Sequence, residues 1–420
     1  MDRARKFVLA FYILTLMTFG FWVNITSFTL IIDVAGIMML LYSAAISDGI
    51  IRIQSEYKTI FIEAALFFVG IAFITIISWM RTIPMKMCIL GARDYFEFIF
   101  LGFLVIPLLP DTINHERFLK YITVFSVVMC SFGIAQFVFH ASMPKWLLHV
   151  RSGRMDYVYG LGRKIFRING LFENTIVFNG IIIISSALTF ATLLEKGRSF
   201  FRILGFGITV VANVLTFSRV ALVGSAMIYS LEYLLFGKKN RTEKHVRILA
   251  LGLLGILLFM TLASDTALYQ RLFNSSITSS SDIVHLSTIA RARKAVSENW
   301  FLGLGMGTQG YDSSGSTVSV IRDGCWLQFA LELGMPLTLL LGTMLLSLLV
   351  IAKRRLNVVR TDGQKISCGV FIVITLYFAV ASLINSSFNA KEVFGLYWVL
   401  AGMMLWNPPP EQEKEGIKES

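Results

Sequence analysis

The feature that most constrains the fold of this chain is the repetition of apolar runs, each about twenty residues long. A helix needs roughly 20 apolar residues to cross the hydrocarbon core of a bilayer. Ser218 and Arg219 interrupt the apolar stretch at 200–236, which therefore predicts two helices and not one. On this basis the sequence predicts twelve transmembrane helices, at residues 7–23, 27–47, 59–79, 88–108, 121–140, 175–194, 200–216, 220–236, 248–264, 325–351, 366–386 and 393–407.

Composition excludes a soluble enzyme. Of the 420 residues, 55% are hydrophobic and 15% are charged, whereas soluble domains average about 45–50% apolar and about 25% charged residues. The net charge of +12 would suggest nucleic acid binding in a soluble chain, but most of it lies here in short loops between apolar runs. The four cysteines have no CxxC spacing and indicate neither disulfides nor a zinc site. We therefore expect an all-α polytopic integral membrane protein with about 12 transmembrane helices, no metal, no cofactor and no nucleic acid partner.

The distribution of lysine and arginine predicts the orientation in the membrane, because cytoplasmic loops carry the excess of these residues. With the N-terminus inside, the cytoplasmic segments hold 21 Lys and Arg residues and the short outer segments hold 5. Both termini are therefore expected to be cytoplasmic. The expected organisation is a single transmembrane domain at 1–407, an outer loop at 141–174, a long and partly helical outer loop at 265–324, and a disordered cytoplasmic tail at 408–420.

The two longer outer loops carry basic residues against this trend. Residues 141–174 hold six of them and residues 265–324 hold five. Long loops translocate largely regardless of charge, so the predicted orientation stands. Two interpretations remain open. The charges are solvated or contact lipid headgroups, or they form a site for an anionic ligand.

Arg219 is the most informative ionisable residue, because it lies between two apolar helices with almost no loop around it. It either snorkels to the outer headgroups or clamps phosphate oxygens with its planar guanidinium. Asp33 and Glu63 lie in predicted helices, where we expect them to pair with arginines in the bundle. The adjacent Arg93 and Asp94 are expected to support a neighbouring arginine.

The long outer loop contains a predicted helix at 284–300, with Arg291 and Arg293 near its middle. Its apolar face would consist of Ile289, Ala292, Val296 and Trp300. The glycine run that follows at 303–307 has no preceding strand, so it predicts a flexible or close-packed turn and not a nucleotide-binding loop. Asp323 lies at the outer mouth of the next helix, where it is either an N-cap or a general base.

Four short motifs between residues 160 and 350 share a predicted outer location. The first motif, residues 167–174, reads Arg-Ile-Asn-Gly-Leu-Phe-Glu-Asn, and the second motif, residues 216–219, reads Thr-Phe-Ser-Arg. The third motif is the glycine run 303–307 with the arginine-bearing helix before it, and the fourth motif is residues 323–334. In this order they resemble the Arg-x-x-Gly-Leu-Phe-x-Asn, Thr-x-Ser-Arg, arginine-helix and His-Asn-x-x-Leu-x-x-x-x-Glu-x-Gly patterns of the bacterial O-antigen polymerase and O-antigen ligase superfamily, over roughly residues 160–350.

The resemblance implies a glycosyltransferase of the bacterial inner membrane, whose active site and outer loops are periplasmic. Its substrate would be an oligosaccharide linked to undecaprenyl diphosphate, with membrane lipid and a chain-length regulator protein as further partners. Asp323 and Gly324 stand where the ligases carry His-Asn, which favours a polymerase. A polymerase moves the growing glycan from its lipid carrier onto the next lipid-linked repeat unit, with inversion at the anomeric carbon by direct displacement.

The same resemblance implies roles for individual residues. The pyrophosphate that leaves would be stabilised by arginines, namely Arg167, Arg219, Arg291 and Arg293. The acceptor hydroxyl needs a base, for which Asp323 is the first candidate. His285 in the same loop is the second candidate, because histidine titrates near neutrality.

Two other functions compete with a polymerase. An O-antigen ligase would transfer finished glycan to lipid A–core, and it would share almost every feature above. A lipid-linked oligosaccharide flippase or transporter would predict repeat symmetry and broken helices. The chain shows no internal repeat and has only 8 prolines, which favours an enzyme.

Overall fold

The computed structural model describes residues 57–108, 112–148, 157–160, 163–172, 174–236, 275–309, 324–359 and 361–406, and six positions between 7 and 15. Most of this part of the chain is helical. The helices are α1 Lys58–Met80, α2 Met85–Leu108, α3 Thr112–Phe139, α4 Lys145–Leu148, α5 Thr175–Glu195, α6 Phe200–Leu215, α7 Arg219–Phe236, α8 Ser275–Glu298, α9 Cys325–Val358, α10 Asp362–Ala381 and α11 Lys391–Leu405.

Nine of the twelve predicted transmembrane runs correspond to helices, which are α1–α3, α5–α7 and α9–α11. The predicted runs at 27–47 and 248–264, and most of the run at 7–23, lie outside the described residues, as does the predicted tail at 408–420. The largest differences in bounds are the early start of α3 and the late end of α9. In both places the helix continues through charged residues, which hydropathy assigns to a loop.

Six helices in the described part of the chain are long and apolar enough to cross a membrane: α1, α3 from Glu116 onward, α5, α7, α9 and α10. The chain is therefore a helical membrane protein. Helix α2 is long but carries Arg93, Asp94 and Glu97. Helices α6 and α11 are apolar but have only 16 and 15 residues.

The bundle has central and peripheral helices. In α5 and α10, 78% of the apolar window is buried, whereas the corresponding value in α1 is 28%. The exposed apolar side chains of α1 recur at helical spacing, as Ile62, Leu66, Val69, Phe73 and Ile76. A continuous apolar stripe of this length on the outside of the bundle is suited to lipid contact.

The bundle has two chemically different ends. We call the end that holds the four motifs the motif end; there α1 meets α2, and α5 begins. At the opposite end, the Lys196 ammonium lies 3.4 Å from Glu116, and Lys365 lies 3.1 Å from Glu195. The buried guanidinium of Arg355 donates to the backbone carbonyls of Met404 and Trp406 at the end of α11. The two ion pairs join the ends of α3, α5 and α10, and the bonds of Arg355 join α9 to α11.

The loop predicted at 141–174 has its own secondary structure. The short helix α4 is followed by an antiparallel hairpin, β1 Tyr157–Gly160 and β2 Arg163–Phe166, with Tyr157 opposite Phe166. Phe166 is buried and stacks on the ring of His140 at the end of α3, with 5.7 Å between the ring centroids. The hairpin therefore packs against α3 just before the first motif begins.

Candidate functional site

The first motif is joined to the second by a direct hydrogen bond. Arg167 Nε donates to the backbone carbonyl of Thr216 over 2.8 Å. Asn174 ends the motif as the N-cap of α5, where its side chain accepts from the backbone N–H of Val177. Gly170 has φ +60°, a conformation in which a side chain would be strained. The first motif thus forms a tight corner that leads from the hairpin into α5.

Gln136 on α3 holds this corner in place. Its side-chain amide donates to the Gly170 carbonyl, and its side-chain oxygen accepts from the Gly170 N–H, over 2.7 and 2.8 Å. The same amide also donates to the carbonyl of Leu147 in α4. Gln136 is completely buried. One side chain therefore bonds three backbone groups, and the two of Gly170 would otherwise be buried without partners.

The second motif is a tight turn between α6 and α7. Phe217 adopts φ +50°, which is uncommon for a bulky residue. The Ser218 side chain accepts from the N–H of Ala221, so Ser218 caps α7, and Arg219 is the first residue of that helix. The N-terminus of a helix carries partial positive charge and favours anions. A guanidinium at this position adds a second positive group at the same place.

Helix α9 is broken within the fourth motif. Gly334 has φ 77° and ψ 163°, and Pro336 lacks a backbone N–H. The Leu331 carbonyl before the break accepts from the N–H of Leu304, and the Met335 N–H after it donates to the carbonyl of Trp300. The chain just after α8 therefore supplies partners for backbone groups that the break exposes. The scarcity of proline predicted continuous helices, and this broken helix differs from that expectation. The Leu331 carbonyl and the Met335 N–H at the break both have backbone partners.

The third motif is a close-packed turn, as one of the two sequence interpretations predicted. Gly303, Gly305 and Gly307 all have positive φ. A Cβ on Gly303 would lie 2.5 Å from the Leu331 carbonyl oxygen. The turn also contacts α1, because Arg81 donates to the Gly303 carbonyl over 3.0 Å and Met306 N–H donates to Ser78. The glycines are needed for backbone approach and turning.

Glu332 of the fourth motif is buried and holds the same turn. Its carboxylate accepts from the hydroxyl of Tyr95 over 2.5 Å and from the backbone N–H of Gln309 over 2.9 Å. Tyr95 lies on α2, so Glu332 ties α2, α9 and the segment after the third motif together. Both contacts are buried, and a buried carboxylate requires such donors. Glu332 therefore positions these three segments relative to one another at the motif end.

A half-buried cluster of four charges joins α2 to α11. Arg93 contacts Asp94 at 3.3 Å and Glu97 at 3.6 Å, and Lys391 contacts the other oxygen of Asp94 at 3.4 Å. The two positive and two negative charges balance. Asp94 therefore pairs with Lys391 as well as with Arg93. The sequence predicted that the further partner would be an arginine. A lysine at the start of α11 fills that place.

The two arginines of α8 are exposed and point in different directions. Arg291 and Arg293 are two positions apart, which is about 200° around a helix axis. Between them Ala292 is buried, and it packs with Leu331 of the fourth motif. Arg291 also donates to the hydroxyl of Thr288. The two guanidinium groups therefore flank the contact between α8 and α9, one on each side.

The predicted extent of α8 is partly wrong. The helix begins at Ser275, nine residues before the predicted start, because the serine-rich segment 275–281 is helical. Ala292 is buried and Val296 is half-buried on the predicted apolar face. Trp300 is 58% exposed and lies beyond the end of the helix at Glu298, so it does not belong to that face.

Of the two candidate bases, the structure describes the backbone of His285 but does not describe Asp323. The backbone of His285 lies in α8. Asp323 lies outside the described residues, and the N-cap of α9 is Gly324, one position later than expected. Asp33 also lies outside them. Glu63 accepts from the hydroxyl of Ser347 over 2.9 Å, so the expected pairing of Glu63 with an arginine is wrong within the described part of the chain.

Several residues of this end were not singled out from the sequence. Glu332 could have been found, because it is an isolated acid within an apolar predicted span. Gln136 gives a weaker signal, since a single amide in a helix is commonly a surface residue. Tyr95 gives none, because its partner lies 237 positions away. Among the described residues, no group of three or more His, Cys, Asp or Glu side chains is suited to hold a metal ion.

No protein-family model matches this chain, and no curated protein sequence matches it significantly.

Proposed function

We propose that this chain is a metal-independent glycosyltransferase of the O-antigen polymerase type, acting on glycans carried by undecaprenyl diphosphate. The single observation that carries the proposal is the hydrogen bond from Arg167 to the Thr216 carbonyl. It joins two residues that are 49 positions apart in different motifs. It also fixes the guanidinium of Arg167 at the Thr216 carbonyl, three residues before Arg219 in the second motif. The third and fourth motifs are also joined, by a backbone hydrogen bond from the N–H of Leu304 to the carbonyl of Leu331.

The chemistry of the turn at 216–219 suits a diphosphate leaving group. The acceptor hydroxyl attacks the anomeric carbon, the bond from that carbon to the diphosphate oxygen breaks, and the hydroxyl proton passes to a base. Negative charge on the diphosphate then grows beside Arg219 and the first turn of α7, both of which favour an anion. Arg167 positions this turn, and Asp323 or His285 is the base of the proposal. Arg291 and Arg293 would attract the anionic substrate from the outer side.

The distribution of charge supports a periplasmic site. The loops at the end opposite the motif end carry the excess of lysine and arginine, which predicts that the opposite end faces the cytoplasm. The motif end would then face the periplasm, where lipid-linked repeat units are presented. A chain-length regulator protein is the partner we expect there. Cysteine-accessibility labelling of the variants Lys86→Cys and Arg198→Cys, both at exposed positions, tests this orientation. Only Lys86→Cys should react with a membrane-impermeant reagent in intact spheroplasts.

Deletion of the gene separates a polymerase from a ligase. For a polymerase, the lipopolysaccharide on a gel should change from a ladder to core with a single repeat unit, because ligation continues. Bare core, with long glycan still on undecaprenyl diphosphate, would instead identify a ligase. Bare core, with single repeat units on undecaprenyl diphosphate trapped on the cytoplasmic side, would identify a flippase and refute transfer chemistry.

Arginine variants test the site in a purified reaction with undecaprenyl-diphosphate-linked repeat units. Arg219→Ala should lower the rate of polymer formation about 10²–10³-fold, as removal of one stabilising group commonly does. Arg219→Lys should retain part of the activity, because lysine keeps the charge but loses the planar fork. Arg198→Ala is the matched control, since Arg198 is exposed at the opposite end. Equal rates for Arg219→Ala and the control would exclude this turn from the reaction.

The two candidate bases are separated by their pH profiles. Asp323→Asn should abolish polymer formation at every pH if the carboxylate takes the proton. His285→Gln should leave the acid limb of the profile unchanged in that case. Loss of the acid limb in His285→Gln, with Asp323→Asn still active, would assign the base to the histidine.

A further inference from the structure

A groove at the opposite end of the bundle is unrelated to the four motifs. Its volume is about 640 Å³, and it lies between α3, α5 and α6. The walls are mostly apolar, with Val124, Val127 and Val128 on one side and Leu204 and Ile208 on the other. Val124 and Val128 are about half exposed, so the groove opens sideways, towards the region that lipid occupies around a membrane bundle.

The rim of the groove is basic. Arg117 and Lys120 come from the first turns of α3, and Lys196 and Arg202 come from the connection between α5 and α6. Glu116 is the acidic residue of the lining, and it pairs with Lys196 at 3.4 Å. Within the described part of the chain, neither Arg117 nor Lys120 forms an ion pair. The rim therefore carries an excess of positive charge.

The start of α6 adds to this field. Ser199 is the N-cap of the helix, and its side chain accepts from the N–H of Arg202. Arg202 in turn donates to the carbonyls of Lys196 and Gly197 at the end of α5. These bonds fix the guanidinium beside the positive end of the α6 dipole. The rim is thus a built arrangement with defined contacts.

We propose that this groove binds a diacyl phospholipid with an anionic headgroup. An acyl chain lies along the valine and leucine walls, and the phosphate lies between Arg117, Lys120 and the N-terminus of α6. Apolar walls give no binding energy to a free phosphate, and the excess positive charge favours an anionic over a zwitterionic headgroup. Basic pockets between transmembrane helices recognise lipid headgroups by this combination. The proposal does not depend on the function of the motif end.

Native mass spectrometry of the full chain in detergent tests the headgroup. Phosphatidylglycerol and phosphatidylethanolamine with the same acyl chains are titrated against wild type. Phosphatidylglycerol should bind more tightly, and Lys120→Gln and Arg117→Gln should each weaken it about fivefold, the effect typical of one basic residue near a headgroup. Arg198→Gln is the matched control, because Arg198 is exposed at the same end but does not line the groove. It should change nothing.

A second variant tests the acyl chain. Val124→Trp at the exposed edge of the groove should lower the affinity for both lipids by a similar factor, and excess inorganic phosphate should not displace phosphatidylglycerol. Equal binding of the two lipids by wild type would overturn the proposal. So would an equal loss in Arg198→Gln and Lys120→Gln, or full displacement by inorganic phosphate, which would show a free-anion site.

Discussion

The break in α9 gives the sharpest test of how the motif end is held together. Gly334 has φ 77° and ψ 163°, a region that essentially only glycine occupies. A Cβ at this position would lie 2.1 Å from the carbonyl oxygen of Phe301, whereas close carbon–oxygen contacts in proteins are about 3.3 Å or longer. In Gly334→Ala, either residues 300–304 must move away or α9 must straighten.

The cost follows from the contacts that would be lost. The backbone conformation costs about 1–3 kcal/mol for a residue with a side chain. Moving residues 300–304 away also breaks the bonds from Leu304 to Leu331 and from Met335 to Trp300, at about 1 kcal/mol each. We therefore expect Gly334→Ala to be destabilised by about 3–5 kcal/mol.

Gly342 offers a matched control in the same helix. It has ordinary helical geometry, and a Cβ added there would meet no neighbouring atom within 4 Å, so Gly342→Ala should stabilise the protein by about 0.5–1 kcal/mol. Thermal unfolding in detergent measures both midpoints. Hydrogen exchange of the Leu304 amide should rise in Gly334→Ala alone. A wild-type midpoint and wild-type exchange in Gly334→Ala would refute the reasoning.

Four further substitutions test three other features of the structure, each by thermal unfolding in detergent. Gln136→Leu should destabilise the protein by about 2–4 kcal/mol, because it leaves both backbone groups of Gly170 buried without partners; an unchanged midpoint would contradict this. Glu332→Ala should cost more than Tyr95→Phe, since the first leaves two buried donors unsatisfied and the second removes one bond. Thr82→Gly should raise stability by about 0.5–1 kcal/mol, because Thr82 is exposed with φ +68°, and a lower midpoint would count against that strain.

The transmembrane helices were largely predictable, because hydropathy is a local property of about twenty residues. The start of α5 at Thr175 and the separation of α6 from α7 follow from the sequence, since Asn174 and Ser218 both have capping side chains. The break in α9 was not predicted. Its apolar run continues on both sides of Gly334 and Pro336, and packing against residues 300–304 holds the unwound conformation that these two residues permit.

The contacts of the candidate site were mostly beyond reach of the sequence. The motifs could be recognised one by one, but the bond from Arg167 to Thr216 is a tertiary contact, and so is the bond from Tyr95 to Glu332. An acid in an apolar helix suggests an arginine partner for Glu63, whereas within the described part of the chain one of its oxygens accepts from the Ser347 hydroxyl on α9. Such choices depend on which helix lies opposite, and that is decided by the whole bundle.

Most residues of the four motifs have a structural reason to be present. Asn174 caps a helix, Glu332 satisfies two donors, and Gly334 permits a break. Arg219 lies at the first position of α7, where a cation opposes the helix dipole by about 0.3–1 kcal/mol. If Arg219 serves an anionic substrate, Arg219→Ala should lower polymer formation about 10²–10³-fold, while it lowers the unfolding midpoint less than Arg167→Ala does. Arg167→Ala should lower both, because it removes the bond to Thr216. A midpoint lowered equally in both variants would mean that Arg219 is a structural residue, and the proposed reaction would lose its principal group.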